Sequence, residues 1–216
     1  IALPNQSPAP LSLMPMIADG GSVVLRNGAN ATDPIRLIDS IQGTFNVAST
    51  SSGFSSLGAA PGISDDGNAV VFYGDLGSGT ATGPGIFLFD VPDFIGGRIA
   101  ASDSGGDGIL RPWEEFEDLN GNGLFDFPTE MDVSLFSSFS ADTRVAVSGD
   151  ITDDDGVTVV FVAFDNANNK GLYSIGVRRD STDPSGYQVD RPKLVAAAGS
   201  VLSGLGTITD LSIYDP

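Results

Sequence analysis

The sequence of 216 residues contains neither cysteine nor histidine. Disulfide bridges, zinc sites built on these residues, and nucleophilic catalysis by Ser-His-Asp or Cys-His groups are therefore excluded. Positive charge is scarce as well, with 10 Lys and Arg against 28 Asp and Glu and a formal net charge of −18. Such a charge disfavours nucleic acids and anionic membranes as partners and favours a surface that tolerates cations. No apolar run approaches the roughly 20 residues of a membrane span, so we expect no membrane insertion.

The sequence also lacks the common signatures of catalysis. No nucleophile elbow, phosphate-binding loop or dinucleotide-binding fingerprint occurs in it. Glu114, Glu115 and Glu117 are carboxylates of the kind that act in pairs in glycoside hydrolases. They fall inside a calcium-loop pattern, however, where binding a cation or facing water is the expected role. We therefore expect that the protein is not an enzyme and has no catalytic residues.

The residues from Asp103 to Glu130 have the spacing that points most directly to a chemistry. The first half, residues 103–114, fits the twelve-position template of a calcium loop, with acids at positions one, five and twelve and glycine at six. Position three is Gly105, so one ligand of the template is missing. The residues expected to bind the first calcium ion are Asp103, Asp107, Glu114 and, through its backbone carbonyl, Ile109.

The second half, residues 118–130, repeats the template with oxygen-bearing side chains at positions one, three, five and nine. Position twelve is Thr129, and the expected acid follows one residue later. The residues expected to bind the second calcium ion are Asp118, Asn120, Asn122, Asp126, Glu130 and, through its carbonyl, Leu124.

The spacing of oxygen-bearing residues in both halves suits calcium, a hard cation that takes six to eight oxygen ligands. A glycine at position six permits the sharp turn, and we expect the apolar side chains of Ile109 and Leu124 to anchor each loop on the core. Residues 103–132 contain nine acids against a single base, Arg111, and these carboxylates would repel one another without cations. The alternative is an acidic, glycine-rich surface loop that binds no ion. We expect calcium to make the loop rigid and to perform no chemistry.

The rest of the chain has the character of an all-β protein. Val, Ile, Phe and Thr cluster in short runs that are bounded by Gly, Pro, Asn and Asp. Only residues 112–117 could form a single helical turn, because they open with proline and acids. The expected fold is a set of repeated antiparallel strand units, propeller-like or a β-sandwich, with a calcium-loop insert and almost no helix.

A turn followed by a β-branched strand recurs along the sequence. The copies begin near Ile17, Ile63 and Ser140, and the strand at residues 153–164 is read as an addition. Ile17 and Ile63 are 46 residues apart, whereas Asp66 and Asp142 are 76 apart, and the excess is about the length of the acidic insert. A second element, residues 83–89, returns at 170–175, and a last partial unit is expected from Leu194. Three copies are too few for a propeller, which takes four to eight blades.

Two stretches of the sequence resemble known families. ISDDGNAVVF (63–72) and GPGIF (83–87) resemble secreted bacterial proteins built from tandem propeller-like β repeats. GDGILRPWEEFEDLNGNGLFD, which starts at Gly106, is similar to the calcium-binding Asp/Asn-Gly repeats of bacterial surface and filament proteins. The resemblance implies an extracellular, cell-surface location and calcium as the bound ion.

The composition agrees with secretion, since lysine is scarce and calcium loops saturate only where calcium is plentiful. Because the sequence begins at Ile1, we expect either that a signal sequence has been removed or that a longer chain exists. Asn5 and Asn30 open two sequons, which matter only where N-glycosylation operates. The expected organisation is an extended, proline-containing arm (1–13) and one all-β repeat domain (14–216), with the insert at about 100–132.

Two functions remain open from the sequence. In the first, the protein is a structural subunit that assembles head to tail into a filament or surface layer, its arm pairing with an open strand edge of the next copy. In the second, it is a calcium-dependent carbohydrate- or protein-binding module, with Trp113, Phe116, Phe125 and Phe127 stacking on a glycan. These aromatic residues are otherwise expected to form the small core that closes the calcium loops.

Overall fold

The computed structural model describes residues 15–77, 83–102, 110–140, 144–183, 186–202, 206–211 and 213. Apart from one 3-10 helix, Thr50–Ser52, the regular elements in these ranges are β-strands, which confirms the all-β prediction. The arm predicted for residues 1–13 lies outside the described residues. No helix in the described ranges is long and apolar enough to cross a membrane.

The first sheet is an antiparallel meander in chain order. It contains β1 (Met16–Ile17), β2 (Val23–Arg26), β3 (Ile35–Asp39) and β4 (Gly43–Ala48). The alternation of the strands turns Val24, Ile35 and Leu37 to one face, where they are fully buried. This face lies against the second sheet.

The second sheet has five strands around a long central hairpin. They are β5 (Phe54–Leu57), β6 (Gly62–Ile63), β7 (Ala69–Leu76), β8 (Gly83–Asp90) and β9 (Ile95–Ala101). The order is β5-β7-β8-β9, and β6 pairs with the other end of β7. Successive residues of β7 are buried on both faces, which a strand enclosed between two layers requires.

A short hairpin carries the acidic insert and leads into the third sheet. The hairpin pairs β10 (Glu114–Phe116) with β11 (Asp132–Ser134). The single helical turn that the sequence allowed at residues 112–117 does not form, because Glu114–Phe116 gains a strand partner that an isolated turn of helix would lack.

The third sheet resembles the second. Its strands are β12 (Phe136–Phe139), β13 (Ala146–Gly149), β14 (Val157–Asp165), β15 (Lys170–Arg179), β16 (Tyr187–Val189) and β17 (Lys193–Ala197). The order is β12-β14-β15-β16, with β13 on β14 and β17 on β15. A last hairpin pairs β18 (Val201–Leu202) with β19 (Gly206–Thr207).

The hairpins β1–β2, β6–β7 and β13–β14 occupy equivalent places in the three sheets. The repeats predicted near Ile17 and Ile63 are confirmed. The third copy lies further along than predicted, because the strand that corresponds to β7 is β14, at residues 157–165, and not an addition. A partial unit starting at Leu194 is also wrong, since Leu194 belongs to β17 and pairs with Tyr173 of the third sheet.

Two apolar clusters join the sheets face to face. Val70 and Phe72 of β7 pack with the first sheet, whereas Ala69 and Val71 pack with the third. The turns of neighbouring units also touch, since the amide of Asp19 donates to the carbonyl of Asp65 over 2.8 Å. The three sheets are stacked, with the second sheet as the layer buried on both sides.

Candidate metal centre

The described part of the acidic insert is a loop closed by the β10–β11 hairpin. Glu114 pairs with Ser134 and Phe116 pairs with Asp132, and residues 117–131 form the loop between the strands. Only the end of the first predicted calcium loop, residues 110–114, lies within the described residues. Its candidate ligands Asp103, Asp107 and Ile109 lie outside the described residues, and their role stays a prediction.

Glu114, the last candidate of the first loop, is completely buried. Its Oε2 accepts the backbone N–H of Arg111 at 2.7 Å, and its Oε1 accepts Nη1 of the same residue at 3.1 Å. The backbone amide of Glu114 in turn donates to the carbonyl of Arg111. This charge-assisted pair compensates for the burial of the carboxylate and fixes the turn that enters β10.

Asp118 begins the second loop, and its carboxylate accepts hydrogen bonds from three backbone amides that follow it. Oδ1 accepts the amides of Gly121 at 2.6 Å and Asn122 at 3.2 Å, and Oδ2 accepts that of Gly123 at 2.7 Å. Gly121 and Gly123 both have φ of 75°, a conformation that glycine adopts without steric cost. The predicted sharp turn therefore forms around the carboxylate at position one.

The side chains at positions three, five and nine converge. The Nδ2 atoms of Asn120 and Asn122 each donate to Oδ2 of Asp126 at 2.7 Å. The Oδ1 atoms of the two asparagines accept the amides of Asn122 and Leu124. Hydrogen bonds to the charged form, from Asn120 first and then Asn122, hold the pKa of Asp126 below its ordinary value.

Glu130 closes the base of this loop from the buried side. Its carboxylate is 1% exposed, Oε1 accepts the amide of Leu119 at 2.9 Å, and Oε2 accepts that of Asp126 at 2.9 Å. The expectation that Leu124 anchors the loop on the core is wrong, because its side chain is 65% exposed. The loop is instead fastened through the polar Glu130, which satisfies two amides that would otherwise lack partners.

The aromatic residues of the insert divide into two groups. Trp113 is buried in the cluster between the second and third sheets, and it has no exposed ring face for a sugar. Phe116 contacts Phe125, whose ring lies 6.5 Å from that of Phe127. Trp113 therefore packs in the main core between the sheets, rather than in the small loop-closing core predicted for the four aromatic residues.

The donor chemistry of the second loop fits a hard cation. Four side chains with oxygen atoms, those of Asp118, Asn120, Asn122 and Asp126, follow the calcium template. No group of three or more His, Cys, Asp or Glu side chains in the described ranges is placed to hold a metal ion. The second loop instead combines two carboxylates with two asparagine amides.

The sequence did not indicate that Arg111, at position nine of the first template, pairs with Glu114. Nor did it indicate that Glu130, predicted as a calcium ligand one residue past the second template, accepts two backbone amides. A signal for the second was present, because Glu130, Asp132 and Ser134 alternate as residues on one side of a strand do, and all three are buried. Comparison with known proteins adds no relative, since no protein-family model matches the chain and the search of curated proteins gives no match.

Proposed function

We propose that this protein is an extracellular structural subunit, stabilised by calcium, that assembles head to tail into a filament or surface layer by β-strand complementation. The observation that carries the proposal is the outer face of the first sheet. That face carries an apolar row beside the polar pair of Arg36 and Asn46, and no cluster of the described residues covers the row.

The apolar row on this face runs across three strands. Ile17 of β1 pairs with Val23 of β2, which pairs with Ile38 of β3. Ile17 is 67% exposed and Ile38 is 38% exposed. Their neighbours in the strands face the core, so the first sheet carries apolar side chains on both faces, as the enclosed second sheet does. Such a surface suits a contact with another molecule.

The other end of the stack presents a different surface. The edge strand β17 pairs with β15, and on the described residues no strand lies along its other side. Leu194 and Val195 of this strand are 57% and 59% exposed. An exposed apolar edge offers unpaired backbone groups to an added strand. Because the two ends differ, a contact between them is heterologous and propagates unless it closes a ring.

In the proposed assembly, the arm of residues 1–13 of one copy adds to the β17 edge of the next, and the first sheet stacks on the added layer. Main-chain hydrogen bonds would give affinity, and alternate side chains would give specificity. Calcium bound in the insert would hold the projecting loop in one conformation. Extracellular calcium is abundant enough to saturate weak loops of this type.

Electron microscopy and light scattering of the full chain test the proposal. We expect filaments with calcium, and their loss when residues 1–13 are deleted or when Ile17 and Ile38 are both changed to Asp. The matched control is Ile41→Asp, since Ile41 is 93% exposed but lies in the β3–β4 turn. A monodisperse monomer at every concentration, or filaments that persist in both altered proteins, would contradict the proposal.

A further inference from the structure

Asp132, in β11, is a buried carboxylate without a hydrogen-bond partner among the described residues. The residue is 1% exposed, and in the described part of the chain neither Oδ1 nor Oδ2 has a donor within hydrogen-bonding distance. Burying an ionised carboxylate is costly unless a positive charge or several donors compensate for it. Asp132 therefore needs a partner that the described protein atoms do not provide.

The two other buried acids of the hairpin are compensated by the protein itself. Glu114 is held by the backbone and guanidinium of Arg111, and Glu130 by the amides of Leu119 and Asp126. Each of these carboxylates has a donor on both oxygens. The lack of partners at Asp132 is thus a property of this side chain and not of every acid in the insert.

Asp132 and Glu114 lie on the same, buried side of the hairpin. Glu114 is opposite Ser134 and Asp132 is opposite Phe116, so Glu114 and Asp132 are diagonal neighbours. The intervening residues Glu115 and Val133 face the other way and are exposed. Two carboxylates therefore point into one buried region of an already acidic insert.

The insert itself offers a single base to neutralise this region. Residues 103–132 include one base, Arg111, which is paired with Glu114. A buried water molecule could donate a hydrogen bond to Asp132, but it would leave the charge uncompensated. A hard divalent cation would supply both the charge and the preferred contact with carboxylate oxygens.

We propose that Asp132 is a direct ligand of a calcium ion bound on the buried side of the β10–β11 hairpin. This inference rests on the proposed role of calcium and adds a ligand that lies outside both twelve-residue templates. The ion ties β11, and through it the entry to the third sheet, to the insert. Calcium bound here stabilises the hairpin itself and not only the exposed loop.

Calcium titration of the full chain, followed by calorimetry and thermal unfolding, tests the inference with Asp132→Asn. The substitution keeps the shape and removes the charge. We expect at least a tenfold loss of affinity at one site and one fewer bound ion. In chelator the same variant should melt at a higher temperature than the wild type, because the uncompensated charge is gone.

The matched control is Glu115→Gln, which makes the same charge change on the exposed side of the same hairpin. Its calcium affinity should stay within twofold of the wild type. If Asp132→Asn binds as many ions with the same affinity, the inference is overturned while the proposed role of calcium stands. If the wild type does not respond to calcium at all, both fail.

A second measurement covers the case in which Asp132→Asn does not fold. Terbium replaces calcium and luminesces when a nearby tryptophan is excited, and Trp113 is the sole tryptophan. The carbonyl of Trp113 accepts the amide of Leu135, which places it beside β11. We expect sensitised emission that calcium displaces and that survives the double change Asp118→Asn and Asp126→Asn. Absence of this emission would contradict the inference.

Discussion

The second sheet and the acidic insert are held in place by different forces. In the second sheet, Val70, Val71 and Phe72 are buried in succession, and apolar layers cover both faces. In the insert, the described loop is held by carboxylates and amides, and Leu124 and Phe127 are largely exposed. Burial of apolar surface needs no cofactor, whereas a loop built from acids must balance its charge.

Because different forces hold the two regions, we expect the two regions to respond differently to calcium and to pH. The contribution of apolar packing to the stability of the second sheet should be the same in calcium and in chelator. The order of the insert should follow its charges and respond to calcium and to pH. Variants that damage one region and spare the other therefore test whether the two are independent.

The largest effect is expected in the second sheet. Phe72 is 3% exposed and its ring lies 5.6 Å from both Phe54 and Phe87. Phe72→Ala should lower the free energy of unfolding by about 3–5 kcal/mol through lost burial and a cavity. Urea unfolding measures the loss, which should be equal in calcium and in chelator.

The matched control for this change is Phe94→Ala, because Phe94 is 59% exposed. Its cost should stay below about 1 kcal/mol, as expected for a partly exposed ring. A loss at Phe72 that depends on calcium would show that the two regions are coupled.

A smaller loss of stability is expected at the ion pair between Arg179 and the buried Asp90. Arg179 of β15 donates to both carboxylate oxygens of Asp90 of β8, at 2.8 and 2.7 Å, and so joins the third sheet to the second. Asp90 is fully buried and the Arg179 side chain is 33% exposed. Arg179→Met should lower the free energy of unfolding by about 2 kcal/mol, because it leaves the buried Asp90 carboxylate without its cation. The partial exposure of Arg179 to solvent keeps this loss moderate.

Thermal unfolding measures this effect against Arg178→Met as the control. The pair of Arg178 with Asp190 is 3.5 Å long and both side chains are 38% exposed, so its loss should cost at most about 0.5 kcal/mol. The double change Arg179→Met and Asp90→Asn should recover part of the stability. Equal losses in the two arginine variants would be inconsistent with this account.

The smallest effect concerns the pH response of the insert. The pKa of Asp126 is lowered in the folded state, so its contribution to stability is present above its unfolded pKa, about 3.9, and is lost as the pH falls through the folded value. Asn122→Ala removes one donor and should raise this pKa. An NMR titration of the Asp126 carboxyl group in chelator measures the shift.

The control for this titration is Asn27→Ala, an exposed asparagine of the first sheet's turn, which should leave the pKa of Asp126 unchanged. An Asp126 pKa that is identical in the wild type and in Asn122→Ala would mean that the amides of the loop do not hold this carboxylate.

The sequence predicted best where one local rule acts alone. Runs such as Ala69–Leu76 have strand composition throughout, and the hairpin that starts at Gly62 follows from its Asp-Asp-Gly turn. The third copy was misplaced because residues 140–144 imitate the same turn, whereas the true partner strand starts at Val157. Register across a sheet is a tertiary property that a short motif does not contain.

In the insert, glycine and acid spacing predicted the turn at Asp118 and the convergence on Asp126. The template could not predict that Leu124 faces outward or that Glu130 binds amides, because both depend on how the hairpin meets the sheets. The burial of Asp132 has the same origin. Spacing along the chain sets local geometry, and packing decides which side chains lose contact with water.

Hydrogen–deuterium exchange with and without calcium tests the central claim most directly, because it reports on both regions in one sample. In calcium, the amides of Leu119 and residues 121–126 should exchange more slowly than in chelator, while those of β7 and β8 should exchange at the same rate in both. Exchange in residues 117–131 that is unaffected by calcium, or protection that changes equally throughout the second sheet, would contradict the account.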